Sequence, residues 1–185
     1  IEIGAGYGRT CHAFLSLNND LKKYLIIDFP EMLSLSSRYL KRVLDNKNFK
    51  KVSFIDANQN LDNITELNLK NCLTININSF NEMSDDAFSI YIELINEIGG
   101  FFYTKNPVAK FNDPEITTNI KRKRIALNTG QIKKIINIFN EKELNKAKRN
   151  YVQTYLPSTK WKIISTKFSR PLIYYLQTLY EKKNN

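Results

Sequence analysis

Ile1-Glu2-Ile3-Gly4-Ala5-Gly6-Tyr7-Gly8 opens the chain, and Ile26-Ile27-Asp28 follows, with Asp28 standing 20 residues after Gly8. An acid leading into three alternate glycines, then a short helical stretch, then an apolar run ending in a carboxylate, spells strand, tight turn, helix, strand. Glycines let a backbone turn sharply and come close to a ligand. A helix starting near Arg9 offers free N–H groups at the same turn. The carboxylate of Asp28 is placed to accept hydrogen bonds from two vicinal hydroxyls.

The spacing selects among ligands. A dinucleotide site wants G-x-G-x-x-G, its third glycine letting the helix pack under a pyrophosphate, and here that position is Arg9. A cofactor with an amino-acid end suits this turn better, its carboxylate meeting the N–H groups and its ammonium meeting Glu2. The pattern resembles the E/D-x-G-x-G-x-G motif of class I methyltransferases. That resemblance implies a Rossmann-like α/β fold, a mostly parallel sheet with a C-terminal antiparallel hairpin and helices on both faces, and S-adenosyl-L-methionine as cofactor. It places Glu2, Gly4, Ala5, Gly6, Asp28 and Phe29 around that cofactor. Asp56, Ala57 and Asn78, at the ends of the next two expected strands, join them. For Asp56 a loop-capping role is the alternative.

With 185 residues, 42% hydrophobic and 12% aromatic, the chain suffices for one core, and 1–185 reads as a single domain. Its first strand lacks the apolar residues that usually precede the acid, so truncation at the N-terminus is expected. No apolar run reaches the ~18 residues of a spanning helix. Two cysteines, Cys11 and Cys72, make no disulfide framework and no metal spacing, and a cytoplasmic setting is the default expectation. His12 is the sole histidine, and no metal site is expected.

The remaining pattern is a βα alternation. Tyr24–Ile27, Val52–Ile55, Leu73–Ile77 and Phe101–Tyr103 read as strands, and 9–17, 30–44 and 84–98 as helices. Residues 105–128 read as a loop or active-site flap, broken by Pro107, Pro114 and a basic cluster. A helix capped by Asn128 or Thr129 follows, with Ile132, Ile135, Ile136 and Phe139 as its apolar stripe. Trp161–Phe168 and Leu172–Leu179 read as a closing hairpin.

Rim residues narrow the chemistry. Asn78-Ser79-Phe80-Asn81, after the fourth strand, lacks the proline pair of N/D-P-P-Y/F, which argues against a base amine methylase. The stretches E-I-G-A-G-Y-G-R, I-I-D-F-P-E-M, N-S-F-N-E-M and F-F-Y-T-K-N, within residues 1–110, resemble the sugar O-methyltransferase family of bacterial surface-polysaccharide gene clusters. This implies methyl transfer to a hydroxyl of a small-molecule or glycan substrate, nucleotide-linked or lipid-linked. Glu82 is the candidate general base, with helix capping as the alternative. Tyr103 and Asn106 are candidate substrate hydrogen-bonders, with strand-end packing as the alternative. The formal charge is +10, with 28 Lys plus Arg against 18 Asp plus Glu. Its one dense cluster is Lys121-Arg122-Lys123-Arg124, either a solvated loop or a phosphate clamp. Two alternative readings stay open: an RNA-binding methyltransferase or RNA-binding module using 121–124, and an inactive structural domain. Nucleic acid is the less favoured partner because no aromatics interleave the cluster.

Overall fold

All five residues of Tyr24–Asp28 are buried, and their alternation divides the molecule into two cores. Tyr24 and Ile26 pack with Cys11, Leu15 and Leu40 on one side. Leu25 and Ile27 join Ile3, Phe80, Ile95, Phe102 and Tyr151 on the other. A strand apolar on both faces belongs inside a parallel sheet covered on both sides. The computed structural model describes residues 1–59, 61–65, 69, 71–111, 119–171 and 174–183.

The strands are β1 (Glu2–Ile3), β2 (Tyr24–Asp28), β3 (Val52–Asp56), β4 (Leu73–Ile77), β5 (Phe101–Pro107), β6 (Lys110–Phe111), β7 (Ile135–Ile136), β8 (Trp161–Phe168) and β9 (Tyr175–Lys182). Seven of them form one sheet in the order β3-β2-β1-β4-β5-β9-β8. The first five run parallel and β9 is antiparallel to both its neighbours. The helices are α1 (Arg9–Leu17), α2 (Pro30–Val43), α3 (Asn46–Phe49), α4 (Asp62–Thr65), α5 (Asp85–Ile98), α6 (Ile120–Asn128) and α7 (Glu141–Thr154). Pro30 starts α2 at the position where a missing N–H costs nothing. Ser84 caps α5 by accepting from the Ala87 N–H. None of the described helices is long and apolar enough to cross a membrane.

Three expectations need correction. The helix expected from 128 or 129 does not start there. Ile135–Ile136 instead pair in parallel with Lys110–Phe111, and Ile132 and Ile136 enter the core beside Val108 and Ala109. The helix begins only at Asn140, whose Oδ1 accepts from the Lys142 and Glu143 N–H groups at 3.1 and 3.2 Å. The stretch 105–128 is not all loop, since β5 runs on to Pro107, β6 follows, and α6 carries the basic cluster; 112–118 lie outside the described residues. The last strand is Tyr175–Lys182 rather than 172–179, and residues 172 and 173 lie outside the described ones. Pairing explains the length of β5: each residue from Phe101 to Pro107 faces one on β9, from Glu181 back to Tyr175.

A buried polar cluster ties this edge to α7. The Tyr151 hydroxyl accepts from the Asn106 N–H at 3.0 Å and lies 3.1 Å from Thr104 Oγ1. Asn106 Nδ2 donates to Thr104 Oγ1 and to Asn76 Oδ1, both at 2.8 Å. Asn76 Nδ2 donates in turn to the Ile3 carbonyl at 3.1 Å and to Ser79 Oγ. Three strands, β1, β4 and β5, and the helix α7 are therefore tied together through side chains buried from water. Tyr151→Phe leaves the buried Asn106 N–H without its acceptor, and a stranded buried donor costs about 1–3 kcal/mol. Denaturant titration is expected to show that loss as a lower midpoint with an unchanged slope.

Candidate functional site

The glycine turn joins β1 to α1 at the carboxyl edge of the sheet. Gly4 takes φ +71, donates to the Ile27 carbonyl at 2.9 Å, and lies so close to Ser79 that a Cβ would strike its side chain. Gly6 takes φ +58, and the space its Cβ would enter is open, with nothing nearer than Met32 Cε at 4.0 Å. One glycine is required by packing, the other leaves backbone bare to the cleft.

Asp28 ends β2 opposite this turn. Its Oδ2 accepts from the Gly6 N–H at 2.8 Å and its Oδ1 from the Phe29 N–H at 2.8 Å. A carboxylate offers about four acceptor sites, so each oxygen retains one for a hydroxyl donor. Asp28 is 9% exposed and borders both lobes of a groove. The larger lobe, about 750 Å³, runs from Glu2, Gly4 and Gly6 past Asn78 to Glu82. The smaller, about 490 Å³, has apolar walls from Ala57, Leu61, Ile90 and Tyr91. Gly4, Asp28, Phe29, Met83 and Ala87 border both.

Glu2 is buried at the foot of the larger lobe and accepts from the Tyr24 hydroxyl at 2.8 Å. Burial pushes its carboxyl above the ordinary carboxylate range, and hydrogen bonds from Tyr24 and Thr10 partly offset that. Asn78 holds φ +60 just beyond β4, and its Oδ1 accepts from the Tyr175 hydroxyl at 2.7 Å. Glu82 closes the 3-10 turn Phe80–Glu82 and is exposed on the wall of the larger lobe. Since Ser84 does the capping of α5, Glu82 stands free of that duty. Two groups nearby, Lys110 and Tyr175, are shifted first by burial, and the Glu82 charge acts upward on both. In Lys110 the larger effect is burial, which lowers the ammonium, and in Tyr175 it is burial, which raises the phenol.

The structure therefore gathers Glu2, Gly4, Ala5, Gly6, Asp28, Phe29, Asn78 and Glu82 about the larger lobe, and Ala57 about the smaller. Three expected residues are elsewhere. Asp56 turns its Oδ1 back onto the Asn58 N–H at 2.9 Å, an Asx turn at the strand end, and borders neither lobe; Ala57, Asn58 and Gln59 do so in its place. Asn106 is fully buried in the polar cluster beneath the rim, so it cannot touch a ligand in the groove. Tyr103 donates to Gln177 Oε1 at 3.1 Å across β9 and borders neither lobe. The sequence reading missed Met83, Ala87 and Tyr91, whose spacing by four is a helix-face signal that reads equally well as core. It missed Tyr175 and Lys110 because both reach the rim by long-range pairing.

No family model matches the chain, and no curated protein matches it. Solved structures do. The methyltransferase domain of bacterial CtHen1-C is similar with a TM-score of 0.60 at 9% identity, over 99% of this chain and 88% of that one. The glycopeptide N-methyltransferase MtfA complexed with sinefungin gives 0.57 at 12% identity, over 98% and 85%. PigF with SAH gives 0.51 at 11% identity, over 98% of this chain and 49% of that one. The shared feature is the fold, a Rossmann-like methyltransferase fold with its closing antiparallel hairpin.

Glu2 also yields a stability test. A carboxyl whose pKa is raised on folding favours the folded state below its unfolded pKa, and that contribution is lost as pH rises through the raised folded value. Glu2→Gln removes the buried charge and leaves an acceptor for Tyr24. The variant is therefore expected to gain thermal stability over the parent above neutrality and to show little gain near pH 4 or below, read from melting curves across the pH range.

Proposed function

We propose that the chain is an S-adenosyl-L-methionine-dependent methyltransferase acting on a hydroxyl of a sugar or glycan precursor. The observation that carries the reading is one groove with a ribose-type acceptor, Asp28, at its centre and a free carboxylate, Glu82, at its far end. The donor set fits the cofactor. Asp28 has acceptor capacity left for two ribose hydroxyls, the apolar walls at Ala57, Leu61 and Tyr91 suit an adenine, and Glu2 with the open Gly6 backbone suits an amino-acid end. Similar folds are crystallised with SAH and with sinefungin, which supports the same assignment.

Bound there, the cofactor supplies an electrophilic methyl group on a sulfonium. The protein's own part is orientation and proton removal. Holding an oxygen in line at about 3 Å supplies roughly 7–11 kcal/mol of the barrier through orientation alone. Glu82 accepts the proton of the attacking hydroxyl, and Asn78, on the wall of the same lobe, is held by the Tyr175 hydroxyl behind it. The apolar side chains of Met83 and Phe29 limit water around the reacting atoms.

Two measurements test this. Calorimetric titration with S-adenosylhomocysteine is expected to give micromolar binding that Asp28→Ala abolishes; a folded chain that binds none belongs to the inactive structural class. Glu82→Gln is expected to keep that binding while lowering kcat by about 10²–10⁴, the usual contribution of a positioned base. Equal loss of both in Glu82→Gln contradicts its role as base.

A further inference from the structure

Residues 119–140 carry six Lys or Arg and no Asp or Glu. Lys121 and Arg124 are exposed on α6 and make no ion pair or hydrogen bond among the described residues. Standing three apart on a helix, they share a face, where like charges repel unless an anion lies between them.

This basic stretch is docked on the Glu82 end of the groove. Just after α6, the Gly130 N–H donates to the Met83 carbonyl at 2.8 Å, and a Cβ on Gly130 would press into the Asn81 backbone. Gln131 and Lys133 both bond to Asp85, at 3.0 and 2.8 Å. Lys110 donates through its N–H to the Lys134 carbonyl and through Nζ to the Asn81 carbonyl, at 2.9 and 3.2 Å. Six residue steps, four of them helical and two at most extended, lead from Arg124 to Gly130, so its Cα lies within about 13 Å of that contact.

We propose that α6 is the phosphate-binding arm of the acceptor site: the acceptor is a diphosphate ester whose anionic oxygens engage Lys121 and Arg124 while its hydroxyl lies at Glu82. This rests on the function proposed above and names its substrate class. An arginine fork matches phosphate oxygens in bidentate fashion and a lysine adds a point charge, so an i, i+3 pair of the two suits adjacent phosphates. A nucleoside diphosphate and a polyprenyl diphosphate share this chemistry. A flat solvated helix has no reason to be pinned by Gly130 against the wall that holds the base.

The test uses the full chain saturated with S-adenosylhomocysteine, titrated in separate arms with uridine diphosphate, geranyl diphosphate and an oligoribonucleotide. At least one diphosphate is expected to bind, and the Lys121→Ala/Arg124→Ala variant to bind it about tenfold or more weakly, a loss of about 1.4 kcal/mol per tenfold, with S-adenosylhomocysteine affinity and melting temperature unchanged. The arm that binds tighter identifies the ester's other half. Diphosphate affinity unaltered in the variant, or no diphosphate binding by a chain that binds S-adenosylhomocysteine, overturns the phosphate arm and leaves the methyltransferase reading standing. Binding of the oligoribonucleotide alone, lost in the variant, overturns it in favour of a polynucleotide surface. A chain that fails to bind S-adenosylhomocysteine fails the earlier reading, and the arm falls with it.

Discussion

The carboxylate of Asp28 bridges two backbone N–H groups, one from Gly6 in the turn and one from Phe29 at the start of the next helix. Charge-assisted bonds of this kind are about twice as strong as neutral ones. Through them the end of β2 fixes the height of the glycine turn above the sheet, and with it the opening of the groove. Gly4 completes the constraint from the other side, because only a residue without a Cβ lets β1 pass Ser79. The cleft therefore exists between β1 and β4 because the chain crosses over there, and its floor is shaped by two side chains and one missing one.

The same carboxyl edge depends on buried polarity further along the sheet. Asn76, Thr104, Asn106 and Tyr151 bond to one another where β4, β5 and α7 meet, with Asn106 Oδ1, Thr74 Oγ1 and Asn81 Oδ1 left unpaired among the described buried atoms. Such a cluster specifies one register, because any slip strands several donors in an apolar core. It holds Ser79 and the turn to Glu82 at a set distance from the glycine turn. Rigid strands below and a short 3-10 turn above fix the shape of the groove.

Electrostatics divide the groove into unlike ends. Glu2 and Asp28 are buried or nearly so, which makes the glycine-turn end acidic and poorly hydrated. At the other end Glu82 is exposed and faces Lys110, with the acid-free stretch 119–140 beyond it. A cationic or zwitterionic ligand suits the first end, an anionic one the second. That polarity is invisible in the net charge of +10, which averages over the whole surface.

What the amino-acid sequence determined by itself was short-range: the glycine turn and the acid after β2, the apolar run of Tyr24–Ile27, Pro30 at the head of α2, and Ser84 capping α5. Each rests on backbone conformation or contacts within a few residues, so spacing alone reports it. Tertiary structure decided the rest. Ile132, Ile135 and Ile136 have a helix-like spacing, yet parallel pairing with Lys110–Phe111 makes two of them a strand. Asn106 looked like a rim residue until Tyr151, 45 positions away, took its N–H and buried it. Asp56 looked like a ligand contact and became the acceptor of its own turn. Tyr175 and Lys110 came beside Asn78 and Glu82 only through the pairings of β9 with β5 and of β6 with β7, because long-range hydrogen-bond pairing, which no local pattern encodes, chose which side chains meet there.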